Sequence, residues 1–174
     1  MGVAASAAGV LAGVLLVVDR WGPKEISLAD WRTKANAVCD RSFNLSSALS
    51  TWNSFQQFAY ESDSLSSSQF QSQREKVARE LDQLGDRVRQ GKAGLSGIGR
   101  PKGNKEEVDK LVASLDRSSE MIFQIAYDLR NTVDQGEVEN LFDEALEETS
   151  AVGSEQRDLF KKLGAEECYV ESGS

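Results

Sequence analysis

Cys39 and Cys168 are the two residues of this 174-residue chain able to form a covalent cross-link, and no histidine accompanies them. The missing histidine removes Ser/His and Cys/His nucleophilic systems, His-ligated zinc and the Glu-x-x-His pairs of di-iron bundles. Carboxylates are abundant, so a hydrolase that works through Asp and Glu alone stays open, although no spacing marks out a pair. Glu137, Glu139, Asp143, Glu144, Glu147 and Glu148 crowd one stretch and could hold a hard cation such as Ca²⁺ weakly. No D-x-D-x-D-G loop frames them, so they read as a solvated acidic face, and neither a metal site nor a cofactor is expected. The run GKAGLSGIGRPKG lacks the G-x-x-x-x-G-K-[ST] order and follows no strand, which sets a nucleotide cradle aside. What remains is a run of positive charge: Arg87, Arg89, Lys92, Arg100, Lys102 and Lys105, with no acid among them. These six are the candidate surface for an anionic partner, either lipid headgroups or an envelope polymer, with each cation near such a surface contributing on the order of 1 kcal/mol. The alternative is a solvated, polar loop.

The chain as a whole is acidic, with net charge -8 and pI near 4.7. That argues against nucleic acid, whose binding depends on Lys and Arg neutralising phosphates. At 40% hydrophobic and 28% charged residues with two prolines, the composition suits one helical domain with one core.

Residues 2–18 carry no charge, and as a helix at about 1.5 Å per residue they reach about 25 Å, the lower limit for crossing a bilayer. No A-x-A cleavage pattern follows; Val17, Val18, Asp19, Arg20 and Trp21 stand there instead, so a retained single-pass anchor is expected over residues 1–20. The first cysteine lies too far on for a lipobox, and the M-G-x-x-x-S start, placed before an apolar run, is read as a chance match to myristoylation. The flanking charge opposes an outward bundle, because Arg20, Lys24, Arg32 and Lys34 follow the span and no basic residue precedes it.

After a linker over 21–26, residues 27–168 repeat a helical pattern. Ser27 with Asp30 forms a capping pair for a first helix whose stripe is Leu28, Trp31, Ala35, Val38, Ser42, Leu45, Leu49, Trp52, Gln56 and Ala59. Ser68 with Gln71 restarts the pattern for Phe70, Val77, Leu81, Leu84 and Val88, ending near Gln90. Five glycines and Pro101 between Gly91 and Gly103 predict a flexible loop. Asn104 with Glu107 opens a third helix carrying Val108, Leu111, Leu115, Ser118, Ile122, Ile125 and Leu129, and Asp134 to Gly136 predicts a tight turn. The fourth carries Val138, Phe142, Ala145, Val152, Leu159 and Leu163, with Gly153 a weak point and Gly164 the C-terminal cap. Such helices are marginal alone, so the expectation is an all-α, antiparallel up-down-up-down four-helix bundle with a disordered tail at 169–174. Trp31, Trp52, Phe55 and Phe58 are read as core, with an aromatic ligand pocket as the alternative.

In that topology Cys39 and Cys168 lie at the same end, placed to bond; two free thiols in a reducing compartment are the alternative. If the first helix leaves a membrane and the second returns, the clasp and the basic loop both face the bilayer.

Trp31-Arg32-Thr33-Lys34-Ala35-Asn36-Ala37-Val38-Cys39 is similar to the W-x-x-K-A-N-A-I-C opening of a group of actinobacterial secreted or membrane-anchored helical proteins. Lys162-Leu163-Gly164-Ala165-Glu166-Glu167-Cys168 is similar to their closing A-x-x-L-G-L-x-x-C. The likeness spans residues 27–168, carried by its two ends, with the middle alike only in helical pattern. Members often have a Pro-rich turn between helices two and three, where this chain is Gly-rich. The resemblance implies an extracytoplasmic bundle with a terminal disulfide and brings no activity with it. The expected function is a non-enzymatic binding or sensory module of the cell envelope, anchored in the cell membrane and meeting a protein or anionic partner; a cytoplasmic coiled-coil-like scaffold is the alternative.

Overall fold

The structure is a computed structural model that describes residues 25–42 and 45–169, with residues 45 and 46 described by their backbone alone. Its helices are α1 (Leu28–Ser42), α2 (Leu45–Glu61), α3 (Ser67–Gly97), α4 (Lys105–Asn131) and α5 (Glu137–Leu163). Short 3-10 turns occupy Ser62–Ser64 and Glu166–Cys168. Among the described residues no helix is long and apolar enough to cross a membrane. The expected anchor at residues 1–20, the linker as far as residue 24 and the tail from residue 170 lie outside the described residues.

Adjacent helices run antiparallel, as their cross-links record. From α3 to α4, Arg100 pairs with Asp109, Lys92 with Asp116 and Arg130 with Asp82, so one numbering rises as the other falls. From α4 to α5 the same crossing appears in Glu107 with Lys162 and Arg117 with Glu155. The fold is therefore a helical bundle in which α1 and α2 in succession form one leg. Val38 of α1 lies beside Gly94 near the end of α3, while Phe58 of α2 meets Phe70 near its start.

The expected first helix is described as two segments, α1 and α2, with residues 43 and 44 between them outside the described residues. Trp31, Ala35 and Cys39 form the buried face of α1, and Phe55, Phe58 and Ala59 that of α2. At about 100° per residue an unbroken helix would turn Phe55 about 160° away from Cys39. The two buried faces therefore do not continue the expected stripe: Leu49, placed in it, is 61% exposed.

The expected Gly-rich loop is also mostly helix, for α3 continues from Gln90 to Gly97. Glycine within a helix lowers its stability by about 1 kcal/mol relative to alanine, but here the missing side chain lets helices approach. A Cβ on Gly94 would stand 2.7 Å from Val38 Cγ1, and one on Gly85 would stand 2.9 Å from the Phe123 ring. The true loop is the short stretch 98–104.

Helix starts follow local chemistry. The Asp30 amide donates to Ser27 Oγ at 3.0 Å, the expected cap. At α3 a full capping box forms two residues earlier than expected, on Ser66 and Gln69. Asn104 precedes α4 as expected but its side chain makes no cap bond. Gly164 ends α5 at φ 70°, the left-handed conformation that a C-terminal cap needs.

The core divides into two lobes. One packs Phe55, Phe58, Phe70, Leu81, Leu129 and Phe142 around α2 and the first half of α3. The other packs Trp31, Cys39, Leu95, Leu111, Phe160, Leu163 and Cys168 around α1. Ser114 and Ser119 are buried on α4 and donate their hydroxyls to the carbonyls of Leu111 and Asp116.

Candidate functional site

Cys39 and Cys168 are joined, with Cα atoms 5.1 Å apart. Cys39 is fully buried and Cys168 7% exposed. Cys168 reaches the bond because Gly164 breaks α5 and the Glu166–Cys168 turn folds back across α1. The Arg32 Nε donates to the Leu163 carbonyl at 2.7 Å, filling one of the acceptors that a helix end leaves open. At the same end the backbone of Ile26 is bracketed by the loop: its N–H donates to the Arg100 carbonyl, and its own carbonyl accepts from Lys102, both at 3.1 Å. The entering chain, the α3–α4 loop, the end of α5 and the disulfide thus form one clasped end. Tyr169, at the start of the expected tail, is half-buried beneath the Lys161 ammonium, which lies 5.5 Å from its ring centroid.

The six candidate cations divide. Arg100, Lys102 and Lys105 surround the clasped end, whereas Arg87, Arg89 and Lys92 lie back along the α3 shaft, about 8 to 15 Å from Gly97 at about 1.5 Å per residue. Arg100 pairs with Asp109 at 2.8 Å, Lys92 pairs with Asp116, and the Arg89 guanidinium lies 4.5 Å over the Phe123 ring. Lys102 and Lys105 are exposed. Their surroundings are of mixed charge: Lys162 donates to Glu107 at 2.8 Å and holds that carboxyl below its ordinary range, while Glu106 beside Lys110 holds the ammonium above its own. The end therefore presents two free-standing lysines among balanced pairs, in place of one uniform basic loop.

The opposite end holds an open cleft of about 580 Å³, lined by Ser67, Phe70, Gln71, Arg74, Val133, Asp134 and Gln135. Arg74 lies over the Phe70 ring at 5.7 Å and donates to the Thr132 carbonyl, while Asp134 accepts from the Gly136 amide at 3.0 Å. That set offers a cation, an apolar wall and a carboxylate already engaged with backbone. It suits holding a group and brings no acid and base together. Among the described residues no three Asp, Glu or Cys side chains converge as a metal site.

Ile26 and Arg32 were invisible as site residues, since each acts on a backbone carbonyl more than 70 positions away. A single sequence carries no signal for such a contact. Comparison with protein-family models, with curated proteins and with solved structures finds no match to this chain.

Proposed function

We propose that this chain is a non-enzymatic binding or sensory module of a bacterial cell envelope, tethered by residues 2–18 and displayed on the extracytoplasmic side. The observation that carries the reading is the buried Cys39–Cys168 bond, because disulfides persist in oxidising compartments and are rare in reducing ones. The uncharged run before the bundle supports the tether. The similarity of both cysteine motifs to actinobacterial anchored helical proteins supports the same placement. With a tether of a few residues, the clasped end lies nearest the bilayer, and Lys102 and Lys105 become the cations best placed to meet anionic headgroups or wall polymer. Arg87, Arg89 and Lys92 contribute less, being set back along α3 and partly engaged.

The test is thiol labelling in intact cells with a membrane-impermeant reagent, before and after reduction, with lysed cells as control. Labelling of both cysteines only after reduction, and without lysis, agrees with the proposal. Labelling without reduction and only after lysis overturns it and favours a scaffold on the inner side.

A further inference from the structure

Three of the five large apolar side chains that stand exposed among the described residues share one seam: Leu49 at 61%, Tyr60 at 58% and Leu146 at 49%. On α2, Trp52, Leu49 and Tyr60 lie about 60° to 140° round from the buried Phe55. This flank faces α5, because the Tyr60 ring lies 6.1 Å from Phe142 while Phe58, on the other flank, faces Phe70 of α3. On α5, Leu146 lies about 40° round from Phe142, with Glu139 and Asp143 beyond it. That is the flank away from α4, which is marked by Arg117–Glu155 and by Gln156 donating to the Ser114 carbonyl. Half-buried Trp52, stacked 6.2 Å from Phe55, floors the seam between them.

The two walls differ in charge. α2 carries no Lys or Arg, and its acid is Glu61 at the far end. α5 carries six acids from Glu137 to Glu148 and no basic residue before Arg157. None of those six acids forms an ion pair among the described residues. An apolar groove between two helices takes an amphipathic helix through anchors one turn apart, and rim charges choose the partner. A second copy of this chain would bring the same acids against each other, and an anionic surface would be repelled.

We propose that the α2–α5 seam is a docking groove for a cationic amphipathic helix of a partner protein, its apolar stripe seated on Leu49, Trp52, Tyr60 and Leu146 and its Lys or Arg residues facing Glu139, Asp143 and Glu147. This gives the proposed module its partner but does not depend on the tether.

The test titrates the full chain, in phosphatidylcholine nanodiscs with empty discs as blank, against a fluorescent Leu/Lys amphipathic helix of about 18 residues and its Leu/Glu isomer. If the chain does not enter discs, the tether reading fails and the same titration is run in buffer. The expected result is saturable binding of the Leu/Lys helix alone, weakened at least tenfold by L49S/L146S and by D143K/E147K, and little changed by the control reversal E166K/E167K. These positions are exposed, and helicity of each variant is checked by circular dichroism. Equal binding of both peptides, equal loss in the control reversal, no loss in L49S/L146S, or absence of binding overturns the proposal. A dimer in sedimentation that L49S/L146S abolishes overturns it in favour of a second copy.

Discussion

Reduction of the Cys39–Cys168 bond should strip out a large share of the chain's stability. The two residues are separated by 129 positions. In the chain-entropy picture a loop of that length removes about 17 cal/mol/K from the unfolded ensemble, or about 5 kcal/mol at 25 °C. A domain's whole net stability is about 5 to 15 kcal/mol, so the reduced chain is left marginal. With a urea slope of about 2 kcal/mol/M, the unfolding midpoint should fall by about 2.5 M on reduction. The measurement is urea unfolding followed by circular dichroism, with and without reductant, and C39A/C168A as the irreversible counterpart. The double variant should fall at least as far, because both side chains are buried beside Trp31 and Leu163 and their removal also loosens packing. A midpoint that moves by less than about 0.5 M, equivalent to about 1 kcal/mol, would refute the reasoning, since the unfolded chain would then gain little freedom from losing its clasp.

Two glycines of similar helical setting should respond in opposite directions. Gly153→Ala, where nothing stands within 4 Å of the added carbon, should stabilise by about 1 kcal/mol, while Gly94→Ala, forced against Val38, should destabilise by about 1 to 2 kcal/mol net of its helix propensity; urea midpoints of the pair check both. Gly164→Ala should destabilise by about 1 to 2 kcal/mol, because φ there is 70° and the new carbon would meet the Arg32 guanidinium that holds the α5 end. The bond from Lys162 holds the Glu107 carboxyl below its ordinary value of 4.5, so its contribution is fully present above about pH 4.5 and is lost as pH falls through the lowered value. E107Q should therefore unfold at lower urea than the parent at pH 7, with the gap closing in strong acid. A constant gap across that range would contradict the assignment.

Local features of the bundle were readable because they depend on neighbours in sequence. Ser27 with Asp30, the Gly136 turn and the Gly164 cap each need information from within about one turn, and the stripes of α3 and α4 placed Phe70, Leu81, Leu111 and Leu129 in the core where they are found. Gly94 could not be read, for it is read as a breaker until Val38 is known to lie against it. The change of buried face between α1 and α2 was hidden for a related reason. A heptad spacing tolerates a continuous stripe through Leu45 and Leu49, and it takes the packing of Phe55 against Phe142 to reveal that the phase has moved. The basic island failed as one unit because Asp109 and Asp116, which pair with Arg100 and Lys92, arrive from the next helix. Cys39 and Cys168 were placed at a common end by topology alone, and that end is where they bond.

The clasp also gives the bundle a mechanical route around itself. Tension applied between the two termini enters at Ile26, runs along α1 to Cys39, crosses the sulfurs to Cys168 and leaves, so α2, α3, α4 and α5 hang outside the loaded path. Pulling on the oxidised chain lengthens it by unravelling the stretches outside the bond, chiefly the one before Cys39, at about 3.3 to 3.6 Å per residue, while the residues from 40 to 167 enclosed by the bond release no slack. Reduction would place the whole bundle in series with the load. A protein held at one end and tugged at the other would thus carry strain through a short covalent strut and leave the faces of its long helices undistorted.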